Sequence, residues 1–127
     1  MRLLIDTQAI LWFQGSDDKL SDTAKNLISD KENACFISIV SLWEIAIKVK
    51  SNKLNVGMPF HELQSYLLSN DFQILNLDFL HLVKLSDLDD HHKDPFDRIL
   101  IAQSIVENLP LVSIDRHFSS YPVNLIW

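Results

Sequence analysis

Four carboxylates are placed to do chemistry in this sequence. Asp6 and Asp115 each follow directly on a short apolar run, Leu3-Leu4-Ile5 and Leu111-Val112-Ser113-Ile114, while Glu44 and Asp97 fall in what reads as the first turn of a helix. Apolar runs without polar alternation read as strands buried on both faces, the habit of parallel sheets. In such a sheet the ligand site lies beyond the carboxyl ends of the strands, where the following helices begin. All four acids are therefore sent to one edge. Carboxylates held close together repel and raise one another's pKa, and a divalent cation is what makes such a cluster worthwhile. Mg²⁺ or Mn²⁺ prefers hard oxygen ligands, keeps several waters, and is commonly held by a few carboxylates beside a phosphate substrate. The chemistry expected is metal-assisted phosphodiester hydrolysis, one ion activating a water and a second, if present, stabilising the leaving oxygen.

Each acid also has a purely structural explanation. Ser41-x-x-Glu44 has the form of a capping box, and Glu44 could pair with Lys48 one turn on. Asp94 is a natural N-cap with Pro95 at the first helical position, which puts Asp97 where the helix dipole favours a negative charge. Asp6 and Asp115 could be turn residues bonding nearby backbone N–H groups. Singly, these readings compete with the chemical one. Jointly they fit less well, because a sequence selected for stability alone would scatter the acids.

The elements that must position these residues alternate along the chain. Strands are expected at 3–5, 35–38, 72–77 and 111–114. Helices are expected at 7–14 with Gly15 as stop, from a Ser21 cap to about residue 33, from Ser41 with Leu42, Ile45, Ala46 and Val49 on one stripe, and from Pro59 with Phe60, Leu63 and Leu67 on one side. Two more are expected at about 78–85 and from Asp94-Pro95, the latter with Ile99, Ala102, Val106 and Leu109 on its stripe. This order implies right-handed crossovers and an α/β fold, a parallel twisted sheet of about four to five strands flanked by helices on both faces. Residues 1–127 read as a single domain, with no repeat or linker.

Composition excludes whole classes of function. With 47% hydrophobic and 22% charged residues, the 127-residue chain is that of an ordinary globular domain with one core. Eleven basic against seventeen acidic residues, a net charge of −6, argue against a broad basic surface that grips nucleic acid by bulk charge. The single cysteine, Cys35, rules out an internal disulfide, a cysteine-rich zinc site and a Cys-x-x-Cys motif, and it fits a core position in a reducing, cytoplasmic setting. Two glycines, Gly15 and Gly57, cannot form a P-loop or a three-glycine dinucleotide turn. The early charge at Arg2 and Asp6 is unlike a signal peptide, and no apolar run approaches the roughly 18 residues of a membrane span. His91 and His92 lack the i, i+4 spacing of helical zinc ligands and have no third soft ligand near, so a loop at the mouth of the site is expected. Ser41 lacks the Gly-x-Ser-x-Gly elbow of an acyl hydrolase.

Four stretches carry a family resemblance: Leu3-Leu4-Ile5-Asp6-Thr7, Ser41-Leu42-Trp43-Glu44-Ile45-Ala46-Ile47-Lys48, His91-His92-Lys93-Asp94-Pro95-Phe96-Asp97-Arg98-Ile99-Leu100-Ile101-Ala102-Gln103, and Leu111-Val112-Ser113-Ile114-Asp115. Over nearly its full length the chain resembles PIN-domain ribonucleases, most closely the VapC-like toxins of bacterial type II toxin–antitoxin pairs. The resemblance implies a PIN-like fold and an acidic quartet of Asp6, Glu44, Asp97 and Asp115 that is both catalytic and metal-holding. It implies Mg²⁺- or Mn²⁺-dependent endonucleolytic cleavage of RNA, inhibited by a cognate antitoxin. The rival readings are a receiver-like phosphoacceptor domain and a non-catalytic binding module. A receiver needs paired acids after its first strand, and Asp6-Thr7 has none; a haloacid-dehalogenase-like phosphatase needs Asp-x-Asp, where this chain has Asp6-Thr7-Gln8.

Around the quartet, Lys48, Lys50 and Lys53 could hold RNA phosphates or be a solvated helix end, and Arg98 could contact phosphate or orient a carboxylate. Thr7 and Ser113, beside two of the acids, are further candidates for substrate binding. Trp12, Phe13, Trp43 and Ile47 are more apolar surface than one stripe requires. They pack in the core or face a partner, either a second copy in a homodimer or an antitoxin helix. With four acids assigned to a metal, the net charge of −6 is no obstacle to an RNA substrate, provided binding is local.

Overall fold

The computed structural model describes residues 1–127. Five strands, β1 (Arg2–Ile5), β2 (Ala34–Ser38), β3 (Phe72–Leu75), β4 (Leu111–Val112) and β5 (Leu125–Ile126), form one sheet in the order β3-β2-β1-β4-β5. Every pairing is parallel. The helices are α1 (Thr7–Gln14), α2 (Asp22–Ser29), α3 (Ile39–Lys50), α4 (Leu63–Ser69), α5 (Phe79–Asp87) and α6 (Pro95–Glu107).

β1 lies at the centre of the sheet, and its Leu3, Leu4 and Ile5 are completely buried. Alternation along a strand divides them between two cores. Leu3 and Ile5 join Ile10, Ala24, Ile37, Leu42, Ile45, Leu63, Leu67 and Phe72 in the larger one. Leu4 points the other way, into a smaller core with Leu100, Ile101, Leu109, Leu111, Phe118 and Tyr121. Helices therefore cover both faces, as the unalternating apolar runs require.

Several boundaries differ from the sequence expectation, each for a local reason. α3 begins at Ile39, because the buried Ser38 hydroxyl accepts the Val40 N–H at 3.1 Å and caps the helix before Ser41 is reached. The Ser41-x-x-Glu44 capping box therefore does not form, and Glu44 lies in the second turn. α6 is capped as expected, Asp94 accepting from the N–H groups of Phe96 and Asp97 at 2.9 and 3.1 Å. Its buried residues, however, run consecutively from Leu100 to Ser104, while Ile99 and Val106 are only partly covered. Packing between the sheet, α3 and α5 buries more than one stripe. α2 ends at Ser29 rather than near residue 33, β3 stops at Leu75, and a 3-10 turn, Phe60–Glu62, fills the first residues after Pro59. β5 has no counterpart among the expected strands, since a two-residue strand leaves too short a pattern to read.

Leu4 tests the smaller core directly. Leu4→Ala should lower unfolding stability by about 2–5 kcal/mol in urea titrations, with little change in slope. A loss below about 1 kcal/mol would show that this face of the sheet contributes little.

Candidate metal centre

Register brings the first and fourth acids together. Ile5 pairs with Val112, so the next residues, Asp6 and Ser113, leave adjacent strands side by side. The Ser113 hydroxyl donates to Asp6 Oδ2 at 2.7 Å and accepts the Asp115 N–H at 3.0 Å. One buried hydroxyl thus ties both acids. Asp6 is 7% exposed, and its carboxyl is pushed up to about 6. Burial is the main cause; the Asp97 and Glu44 carboxylates add to it, and hydrogen bonds from Ser113 and the Thr7 backbone oppose it.

Asp97 is displaced in the same direction. Burial again dominates, with Asp94 and Glu44 adding repulsion and a hydrogen bond from His92 acting against it. His92 Nε2 stands 2.8 Å from Asp97 Oδ2 and 4.0 Å from Asp115 Oδ2. Asp115 also caps the 3-10 turn Arg116–Ser120, accepting the His117 N–H at 2.9 Å, and lies 2.8 Å from His117 Nδ1. Its turn role and its place in the cluster coexist, because a carboxylate has lone pairs for both. One ligand atom from each of His92, Asp97 and Asp115 lies within 4.8 Å of the others.

The remaining predicted residues take different places. Glu44 is largely covered and pairs with Lys48 at 3.0 Å, leaving the lysine half-exposed at the rim. Thr7 is buried and donates to the Ser41 hydroxyl at 2.8 Å, joining the start of α1 to α3. Arg98 points away from the acids. Its guanidinium donates to the carbonyls of Leu88, Asp89 and His92 and to the Tyr121 hydroxyl at 3.0–3.3 Å, and meets Asp90 at 3.7 Å. Thr7, Ser113 and Arg98 are thus occupied in holding the site together, and Lys48 is the substrate candidate with donors to spare.

Sequence reasoning missed two participants. His92 was expected at the mouth of the site, and it contacts Asp97 directly; its position five residues before Asp97, across the Asp94-Pro95 helix start, was the available signal. Tyr121 had none. Its buried hydroxyl accepts the N–H groups of His91 and His92 and donates to the Asp89 carbonyl, closing the loop over the site. A hollow of about 970 Å³ opens at the opposite edge of the sheet, between Asp30–Cys35 and Leu68–Gln73, away from these acids.

The donor set suits a hard divalent cation. The close group is His92, Asp97 and Asp115, with Asp6 and Glu44 outside it but near enough for charge to act between them and Asp97. Asp6 and Asp97 hold their protons more tightly than usual because burial and like charge leave their negative charge uncompensated. A cation there would reverse that balance. A parallel sheet with acids gathered beyond its strand ends is an α/β fold with a candidate cation site at that edge. The PIN domain family model matches residues 3–124, and the chain belongs to that family, whose members are generally nucleases that use a divalent metal. Among solved structures, a chain of VapBC2 from Rickettsia felis, crystallised bound to a DNA fragment from their promoter, superposes with a TM-score of 0.72 at 19% identity, covering 99% of this chain and 98% of that one. A chain of a toxin–antitoxin complex from Klebsiella pneumoniae gives 0.60 at 16% identity, covering 98% and 96%. At these identities the likeness is one of fold. No curated protein matches the sequence.

Asp6 gives this centre a measurable signature. Between pH 4 and about 6 the folded protein keeps a proton that the unfolded chain has lost, so metal-free stability should fall as pH rises through that window and then level off. The full effect is on the order of 2–3 kcal/mol above pH 7. Asp6→Asn keeps an oxygen for Ser113 and cannot ionise. It should therefore melt above wild type at pH 8 without metal, and the gap should close toward pH 4. A variant less stable than wild type at pH 8 would contradict the raised pKa.

Proposed function

We propose that this protein is an endoribonuclease that uses Mg²⁺ or Mn²⁺ held by Asp6, Glu44, Asp97 and Asp115, and that it acts as a VapC-like toxin restrained by an antitoxin. The observation that carries the reading is the convergence of these four acids, two with raised pKa values, at the strand-end edge of a PIN fold. When bound, the ion supplies an activated water and stabilises charge on the cleaved phosphodiester. Every other requirement falls to the chain. A bound ion would favour the ionised form of Asp6, whose carboxylate Ser113 holds beside the Asp115 backbone. Lys48 is close enough to Glu44 to orient it and exposed enough to meet a phosphate, with Lys50 and Lys53 exposed further along. Such contacts are few, which suits a protein of net charge −6 and implies a shallow salt dependence of RNA binding.

Restraint of such an activity calls for a partner protein; the Klebsiella pneumoniae structure is a toxin–antitoxin complex, and the Rickettsia felis one is VapBC2 bound to promoter DNA. Trp43 and Ile47, expected either in the core or at a partner, are 56% and 46% exposed on α3, the helix that carries Glu44. With Ile39 they form an apolar ridge beside the acids, an apt seat for an antitoxin segment. A second apolar face lies on α5, where Phe79, Leu80 and Val83 recur at i, i+1 and i+4 with 75%, 63% and 42% exposure. Apolar area of this kind fits self-association, and we assign it to the homodimer. No helix is long and apolar enough to cross a membrane, and a cytoplasmic site of action suits an RNA substrate.

Purified chain, freed of antitoxin, should cut structured RNA with Mg²⁺ or Mn²⁺ and stop in EDTA. Asp6→Asn should lower the rate on the order of 100-fold, the loss of about 3 kcal/mol of charge stabilisation. Cleavage that persists in EDTA or in Asp6→Asn sinks the mechanism, while metal binding without cleavage of any RNA favours a non-catalytic module. For the dimer, sedimentation velocity at micromolar concentration should show Phe79→Glu/Leu80→Glu as a monomer and wild type as a dimer; a dimeric double variant places the interface elsewhere.

A further inference from the structure

The loop before α6 is built with more care than a site rim needs. The His92 N–H bonds the Tyr121 hydroxyl at 2.9 Å, and its carbonyl accepts from Arg98 at 3.1 Å. The ring lies over His117, centroids 5.7 Å apart and planes 28° from parallel, and meets the edge of Phe118 at 6.2 Å. Backbone and ring are fixed together. The result is an Nε2 aimed at two carboxylates at once, 2.8 Å from Asp97 and 4.0 Å from Asp115.

We infer that His92 is a nitrogen ligand to the ion held by Asp97 and Asp115, and that it biases the site toward Mn²⁺ and related transition ions over Mg²⁺. This rests on the metal-centre reading above. Around an octahedral ion with ligands at ~2.1 Å, neighbouring donors stand ~3 Å apart and opposite ones ~4.2 Å. The 2.8 and 4.0 Å from His92 Nε2 to the two carboxylates lie close to those values. A bond from Nε2 to the ion would take the place of its present contact with Asp97. Imidazole raises affinity for later first-row ions more than for Mg²⁺, which prefers oxygen. Arg98 and Tyr121 then act as positioning residues, since partners that fix a ligand's orientation typically affect metal affinity 10–100-fold.

Electron spin-echo measurements on Mn²⁺ bound to the full-length protein test this without reference to activity. Wild type should show modulation from a directly bonded ¹⁴N; His92→Gln should abolish it, and His117→Gln should keep it. Competition titrations should show the preference for Mn²⁺ over Mg²⁺ falling about 10-fold in His92→Gln. Bound Mn²⁺ without ¹⁴N modulation in wild type, or modulation that survives His92→Gln, overturns the inference and leaves the carboxylate centre standing. Failure of wild type to bind Mn²⁺ at all overturns the centre itself, and with it the role of His92. The wild-type spectrum alone decides the first question, so an unstable variant would not obscure the answer.

Discussion

The parallel pairing of β1 with β4 is the constraint on which the rest of the centre depends. Only two residue pairs define it, Leu4 with Leu111 and Ile5 with Val112, yet it fixes where both chains leave the sheet. Ser113 then stands opposite Asp6, near enough for its hydroxyl to serve Asp6 and the Asp115 backbone together. A slip of one residue would turn Ser113 to the other face of the sheet and replace it beside Asp6 with an apolar side chain. The complete burial of Leu3, Leu4 and Ile5 on two faces is what makes such a slip costly. Core packing, rather than any polar contact, sets the geometry of the acids.

The same burial creates the electrostatic tension. A carboxylate at the end of a central strand loses solvent on all sides, and Asp6 is left with one hydroxyl and one backbone N–H to offset that loss. Asp97 repeats the pattern at the start of α6 with His92 as its partner. Ser113, His92, Lys48 and His117 each hydrogen-bond a single carboxylate oxygen and leave other lone pairs of the cluster free. Such an arrangement is stable enough to fold and unsatisfied enough to attract a cation. Stability and function pull against each other here through one residue, Asp6, which is the position where the fold is least able to solvate a charge.

What could be read from the sequence follows from what sequence patterns encode. Central strands announce themselves through unbroken apolar runs, and the places of Asp6 and Asp115 followed from topology because a residue after a buried parallel strand has one edge to go to. Fold class and the strand-end places of Asp6 and Asp115 were legible for that reason. Short elements were not: β5 has two residues, and the start of α3 depended on whether Ser38 or Ser41 would cap it, two residues of the same type three positions apart. Side-chain allegiance was also hidden. Arg98, adjacent to Asp97 in sequence, turns to the loop carbonyls because successive residues on a helix point about 100° apart. Tyr121 reaches back about thirty residues to close that loop, a contact no local spacing predicts.

The loop clamp explains how a surface segment can deliver a side chain with the accuracy that a buried strand gives Asp6. Residues 88–92 have no regular structure, and a loop normally keeps conformational freedom that costs roughly 1–2 kcal/mol per residue to remove. Arg98 and Tyr121 remove it with charge-assisted and hydroxyl bonds to five backbone carbonyl or N–H groups, and both anchors belong to well-packed elements, α6 and the smaller core. Arg98 is adjacent to Asp97 on the same helical turn, so the residue that pins the loop and the acid that the loop's histidine meets share one rigid support. Any shift of α6 would move both partners together and preserve their separation. Coupling of that kind separates a site-building loop from a merely covering one.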